Sequence, residues 1–178
     1  MIREPKIYFI TGVCGVGKSA VISHLKLLLN DKDYDIHDFD ERGVPSGANR
    51  QWGRDEARYW IDFGMQNIKN GISTIVCGFA NPEEIIHNNN IEFILLDANE
   101  KIIEQRIDER YQTKESKQEL KRVTNCTVEK FIKNNTSFLA ILRDICKNDK
   151  RCNIVNTINK SPKNVAKQVV KTINLPQT

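Results

Sequence analysis

The chain has 178 residues, 39% of them hydrophobic and 28% charged, a composition that fits one globular domain and excludes a disordered polymer. Its net charge of +4 suits an anionic small ligand as well as a nucleic acid and selects neither. No stretch approaches the ~18 consecutive apolar residues that cross a bilayer, and no signal-peptide pattern precedes the first apolar run.

The first β-rich run, Ile7-Tyr8-Phe9-Ile10, ends at Gly12. Residues 18–29 then carry a helical stripe at Val21, Ile22, Leu25, Leu28 and Leu29. A second strand, Tyr34 to His37, runs into Asp38-Phe39-Asp40, and a loop rich in Gly, Pro, Ser and Asn follows from Gly43 to Gly53. Residues 54–69 read as a helix with Ala57, Trp60, Ile61, Gly64 and Ile68 on one face, which makes Trp60 a core residue. The third strand is Ser73 to Cys77, bounded by Gly71 and Gly78. Asn81-Pro82-Glu83-Glu84 predicts a helix start, with Asn81 as cap and Glu84 closing a capping box.

Ile91 to Leu96 is a nearly unbroken apolar run, as expected when both faces of a parallel strand are covered. Residues 100–111 predict a helix bearing Ile103, Ile107, Arg106 and Arg110. Gln112 to Asn125 is polar and lysine-rich with almost nothing to bury, either a lid or a solvated connection. A long amphipathic helix through Val128, Phe131, Ile132, Phe138, Leu142 and Ile145 leads to a fifth strand, Cys152 to Val155. Ser161-Pro162 caps a last helix with Val165, Val169 and Ile173. Strands alternating with helices predict an α/β fold around a parallel sheet. The five cysteines lack Cys-x-x-Cys spacing, and His24, His37 and His87 do not group with them. Free thiols in a reducing cytoplasm are expected.

Gly12-Val13-Cys14-Gly15-Val16-Gly17-Lys18-Ser19 follows the first strand and opens the first helix, the context that turns Gly-x-x-x-x-Gly-Lys-Ser into a phosphate site. Glycines let backbone N–H groups converge on phosphate oxygens, and the helix points its positive end, through Lys18, Ser19 and Ala20, at the same anion. The Lys18 ammonium would reach the β- and γ-phosphates of ATP, and the Ser19 hydroxyl would ligate Mg²⁺. Cys14 would contribute little beyond its N–H.

Asp38 and Asp40 alternate with Phe39, so an extended chain points both carboxylates to one face, beside the phosphate loop. One would serve the Mg²⁺ side, and the other would take a proton from a substrate hydroxyl. The alternative is that Asp40 caps the next segment and Asp38 is merely exposed. Arg106 and Arg110 share a helix face, from which they would close over the transferring phosphate. The alternative there is a surface pair balancing Glu104 and Glu109.

With the phosphate loop and Asp38-Phe39-Asp40 together, the chain resembles the small P-loop kinases of the nucleoside monophosphate kinase-like superfamily, and within it shikimate and gluconate kinases. Asp55-Glu56-Ala57-Arg58-Tyr59-Trp60-Ile61 loosely resembles a segment near the acceptor site of gluconate kinases. Arg106-Ile107-Asp108-Glu109-Arg110 resembles the arginine pair leading into the family's lid. Cys152 to Thr157 with Ser161-Pro162 resembles the last strand and helix, whose connecting loop lies near adenine. The resemblance implies a three-layer P-loop fold with a five-stranded sheet in the order 2-3-1-4-5 and a small lid. It implies a single domain over 1–178, with the acceptor-side segment about 38–70 and the lid about 110–127. It implies Asp38 on the metal side and Asp40 on the acceptor hydroxyl.

Cys77-Gly78-Phe79-Ala80-Asn81 departs from the Asp-Gly-Phe-Pro-Arg of nucleoside monophosphate kinases. The missing acid moves the magnesium side to Asp38, and the missing arginine weakens a nucleoside monophosphate as acceptor. Arg42, Arg50, Arg54 or Arg58 would instead hold a carboxylate or phosphate on the acceptor. Trp52, in the loop, would cover an acceptor ring. The expectation is an ATP-dependent kinase acting on a hydroxyl of a small anionic metabolite, with Lys18, Asp40, Arg110 and Arg106 at the reacting centre. It would work as a monomer or homodimer with neither membrane nor nucleic acid as partner. The rivals are a nucleoside monophosphate kinase, a regulatory ATPase and a nucleic-acid 5′-kinase.

Overall fold

The computed structural model describes residues 4–174, so Met1–Arg3, ahead of the first strand, and residues 175–178 lie outside the described residues. The strands are β1 (Ile7–Thr11), β2 (Tyr34–Asp38), β3 (Ser73–Cys77), β4 (Ile91–Asp97) and β5 (Cys152–Asn156). The helices are α1 (Lys18–Leu28), α2 (Arg50–Lys69), α3 (Glu100–Arg110), α4 (Lys114–Thr124), α5 (Val128–Asn148) and α6 (Pro162–Ile173).

All strands are parallel, in the order β2-β3-β1-β4-β5, as the alternating pattern predicts. Alternation along β1 sends Ile7 and Phe9 into one apolar cluster and Tyr8 and Ile10 into another, so the central strand is buried on both faces. The first cluster packs β1, β3 and β4 against Ala57 and Trp60 of α2. The second gathers buried residues of α1, α3, α5 and α6. Trp60 is fully buried, as its place on the apolar stripe predicts, and its indole N–H donates to the Phe39 carbonyl at 3.2 Å.

Three elements differ from their expected form. Helix α2 starts at Arg50 rather than Arg54, because the Asn49 side chain accepts the Trp52 N–H and nucleates the helix inside the expected loop. Trp52 is therefore helical and half-buried, its ring edge-on to Phe39 with centroids 6.1 Å apart. After Asn81 only a 3-10 turn forms, Pro82–Glu84. Asn81 caps it, but the Glu84 carboxylate goes to Arg50 and Arg54 instead of closing a capping box. Finally, the polar stretch after Gln112 is helix α4, capped by Thr113 and anchored by Leu120, which is 3% exposed. One well-placed leucine and a cap suffice where the surrounding lysines suggest nothing to bury.

Candidate functional site

The loop expected to bind phosphate joins the central strand to α1. Val13 and Val16 are buried and tether the loop to the core, while Ser19 and Ala20 are exposed at the start of α1. Gly12 has φ +146°, and a Cβ there would lie 2.8 Å from the Leu96 carbonyl oxygen, so no other residue suits the position. Gly17, the residue before α1, offers no side-chain cap, which leaves the first helical amides available to an anion.

Lys18 folds back over the loop, its Nζ donating to the Gly12 and Val13 carbonyls at 2.8 Å each. Burial lowers the pKa of this ammonium, and Cys14, Asp40 and Asp38 oppose that shift while Arg110 adds to it. The loop's own ends are pinned from outside. The Thr11 hydroxyl donates to the Ala80 carbonyl at 2.7 Å and accepts the Ala80 N–H at 3.0 Å.

Asp38 ends β2, and Asp40 lies one turn beyond it, where its amide donates to Asp38 Oδ1 at 3.0 Å. The turn replaces the extended geometry expected from the sequence, yet the two carboxylates still repel each other. Burial and then the Asp38 charge raise the Asp40 pKa, against the pull of Lys18 and Arg110. Asp38 pairs in register with Cys77 on β3. The Cys77 thiol is fully buried and its pKa is pushed far up, by burial first and Asp38 second, so it stays neutral. The position without an acid on β3 thus faces the strand that supplies one.

Both arginines of α3 reach the loop. Arg106 Nη1 donates to the Gly15 carbonyl at 3.0 Å, and Arg110 Nη1 lies 3.8 Å from Cys14 Sγ. Neither balances Glu109, which accepts from Gln105 instead. Arg106 also borders a groove of about 450 Å³ between α3 and residues Asn159–Ser161 of the loop after β5.

Between Arg42 and Arg58 the four arginines separate. Arg42 is matched one-to-one with the buried Glu56 at 3.3 Å and lies over the Tyr59 ring at 3.6 Å. Arg58 is largely exposed, 3.8 Å from Asp55. Arg50 and Arg54 share a single carboxylate, Glu84, through their Nε atoms at 2.5 and 3.0 Å, and this lowers the Glu84 pKa against the opposing effect of burial. That cluster keeps one unit of positive charge. Helix α4 closes against the same segment, with Arg122 Nη1 donating to Ser46 Oγ at 2.9 Å and Gly47 N–H donating to the Arg122 carbonyl at 3.0 Å.

Three further residues that contact the candidate site are not singled out by the sequence. Glu84 reads there as part of a capping box. Arg122 lies among lysines with no pattern. Asn135 of α5, whose Oδ1 accepts the Cys14 N–H at 2.8 Å, does carry a signal: it is a polar residue between Phe131 and Phe138 on an apolar helical face.

No family model matches the chain, and no curated protein matches it in sequence. Solved structures do match. A shikimate kinase from Acinetobacter baumannii in complex with shikimate superposes with a TM-score of 0.54 at 14% identity, covering 95% of this chain and 92% of that one. A thymidylate kinase from Candida albicans gives 0.58 at 13% identity, covering 96% and 91% of the two chains. A gluconokinase from Sinorhizobium meliloti gives 0.53 at 13%, covering 96% and 97%. Over nearly its whole length the chain shares the fold of these three kinases, a parallel sheet in the order β2-β3-β1-β4-β5 flanked by helices.

Proposed function

We propose that this protein is an ATP-dependent phosphotransferase that moves the γ-phosphate to a hydroxyl of a small anionic metabolite. The observation that carries the reading is the convergence of Lys18, Asp40 and Arg110 at the Cys14 end of the loop, each within electrostatic reach of the others. A cation for the phosphate, a base for the hydroxyl and a guanidinium for the spreading charge are the groups an in-line transfer needs. ATP would lie along Gly12 to Ala20, its base directed to the groove between Arg106 and Asn159.

Hard oxygen donors at Ser19 and Asp38 suit Mg²⁺, and their small number suits an ion that takes most of its shell from phosphates and water. Among the described residues no group of three or more His, Cys, Asp or Glu could bind a metal without such help. When bound, Mg²⁺ would supply neutralisation of phosphate charge. Asp40 accepts the hydroxyl proton, and Arg110, with Arg106 behind it, faces the moving phosphoryl group.

The acceptor's anionic group would dock on Arg50 and Arg54, whose shared partner leaves a net positive charge, and not on Arg42, which Glu56 neutralises. Arg54→Ala should raise the acceptor KM roughly 10- to 100-fold with little change in kcat, as for loss of a charged hydrogen bond, and Arg42→Ala should leave that KM near wild type. Equal effects of the two substitutions would refute the assignment. All five cysteines are free thiols, which suits a reducing cytoplasm, and no described helix is long and apolar enough to cross a membrane.

The deciding experiment is γ-phosphate transfer from labelled ATP·Mg²⁺ to sugar acids, polyols, nucleosides and nucleoside monophosphates. One labelled acceptor, with Lys18→Ala blank in the same assay, is the expected result. Labelling of a nucleoside monophosphate would make the protein a nucleotide kinase. ATP binding with no labelled acceptor would favour the regulatory ATPase, which the neutral Cys77 on β3 makes the stronger rival.

A further inference from the structure

Helix α5 turns three inward residues, Phe131, Asn135 and Phe138, toward Tyr111, Cys14 and Phe79 respectively. The Phe131 ring meets Tyr111, next to Arg110, edge-on with centroids 6.0 Å apart. The Phe138 ring meets Phe79, just past β3, with centroids 5.5 Å apart. Phe79 follows Gly78, which abuts Phe39 between the two aspartates. Between the two phenylalanines, Asn135 accepts the Cys14 N–H at 2.8 Å through Oδ1 and donates Nδ2 to the Phe131 carbonyl at 2.8 Å. The second bond orients the carboxamide: nitrogen to its own helix, oxygen to the phosphate loop.

Cys14 lies beside Lys18 and Arg110, two of the groups assigned above to the transfer. Lys18 Nζ is bound to the two carbonyls immediately before it, and Arg110 reaches its sulfur. A backbone N–H has one proton to donate. A γ-phosphate oxygen carries negative charge and accepts more strongly than a neutral carboxamide, so the two compete for the Cys14 proton. A nucleoside diphosphate, which ends one phosphate short, does not enter that competition.

We propose that Asn135 is a positioning residue that reads the terminal phosphate. The γ-phosphate displaces the Asn135 carboxamide from Cys14, and α5 passes the displacement to the lid root at Tyr111. The inference rests on the nucleoside triphosphate reading of the loop. It makes the donor's phosphorylation state felt at the lid root before any chemistry occurs, through one side chain that touches the loop and a helix that touches Tyr111.

The test is calorimetric titration of the full chain with Mg·ADP and with Mg·β,γ-imido-ATP, for wild type, Asn135→Ala and Asn135→Ser. Removing the competitor should strengthen triphosphate binding about three- to tenfold, the worth of one neutral hydrogen bond, and leave diphosphate binding within about twofold. The serine variant keeps a polar group too short to reach Cys14 and serves if alanine at this site does not fold. A triphosphate-to-diphosphate preference that is unchanged or reduced in the folded variants overturns the proposal, since a merely structural asparagine would shift both nucleotides together. Wild-type protein that binds neither nucleotide overturns the phosphate-loop reading itself, and the two failures are told apart by that control.

Discussion

Asp40→Asn is expected to lower phosphoryl transfer by about 10²- to 10⁴-fold while nucleotide affinity stays within about twofold, the range set by loss of a positioned general base. The substitution keeps the shape of the side chain and removes its ability to take a proton. The backbone of the site should survive it, because the Asp40 contact holding the turn is its amide on Asp38 Oδ1, which asparagine retains. Steady-state transfer with labelled ATP, alongside nucleotide titration, gives both numbers. A variant within tenfold of wild type would remove Asp40 from the acceptor side.

The pH profile carries the same assignment further. Burial, then the Asp38 charge, holds the Asp40 carboxyl above its ordinary value, with Lys18 and Arg110 pulling the other way. The base works only when ionised, so the rate should fall as pH drops through this raised value. Asp38→Asn removes the second-largest cause, and the acid limb of the profile should then move to lower pH even if the maximum rate falls. A limb that stays in place would mean that some other group sets it. Linkage gives a companion sign. Between the ordinary and the raised value the folded state holds more protons at Asp40 than the unfolded state, so this group's contribution to stability falls as pH rises through that window. Above it the ionised carboxylate opposes folding, and the Tm of Asp40→Asn at neutral pH should be no lower than that of wild type.

The sheet was legible because its strands are buried on both faces and read as short apolar runs between glycines, as Ile7 to Ile10 and Ile91 to Leu96 do. The loop Gly12–Ser19 was legible because its pattern is contiguous: one strand end, three glycines, a lysine and a helix start lie within thirteen residues, 7 to 19. What remained hidden depends on contacts across the fold. Nothing near Glu84 in the chain announces Arg50 and Arg54, which come from a helix about thirty positions earlier. Arg42, Arg50, Arg54 and Arg58 look alike in sequence, and only their carboxylate partners divide them into neutralised and charged. Helix α4 was hidden for the opposite reason. Its stability comes from Leu120, the Thr113 cap and the Arg122 contact with Ser46, each a single feature below any periodic signal.

Gly78→Ala is expected to be the most damaging small substitution, although in the sequence Gly78 marks only the end of a strand. An added Cβ would lie 1.9 Å from Phe39 Cβ and 2.7 Å from its Cγ, and Phe39 is 2% exposed. Phe39 cannot simply retreat. Its N–H donates to the Cys77 carbonyl at 3.0 Å and its own carbonyl accepts from Trp60 Nε1 at 3.2 Å. Gly78 is held equally, its N–H donating to the Ile10 carbonyl at 3.1 Å. Overpacking costs roughly 1–3 kcal/mol, and two pinned backbones put this case at the upper end, about 3 kcal/mol. In a chain of this size that is a Tm loss of roughly 6–12 °C. Gly53→Ala in α2 is the matched control, since an added Cβ there meets nothing within 4 Å and alanine favours the helix. Its Tm should equal or exceed wild type. Because Phe39 separates Asp38 from Asp40, any Gly78→Ala protein that remains folded should also lose transfer activity, the displaced ring carrying both carboxylates with it. Thermal melts within about two degrees of wild type, with full activity, would show that the strand ends yield where their hydrogen bonds indicate they do not.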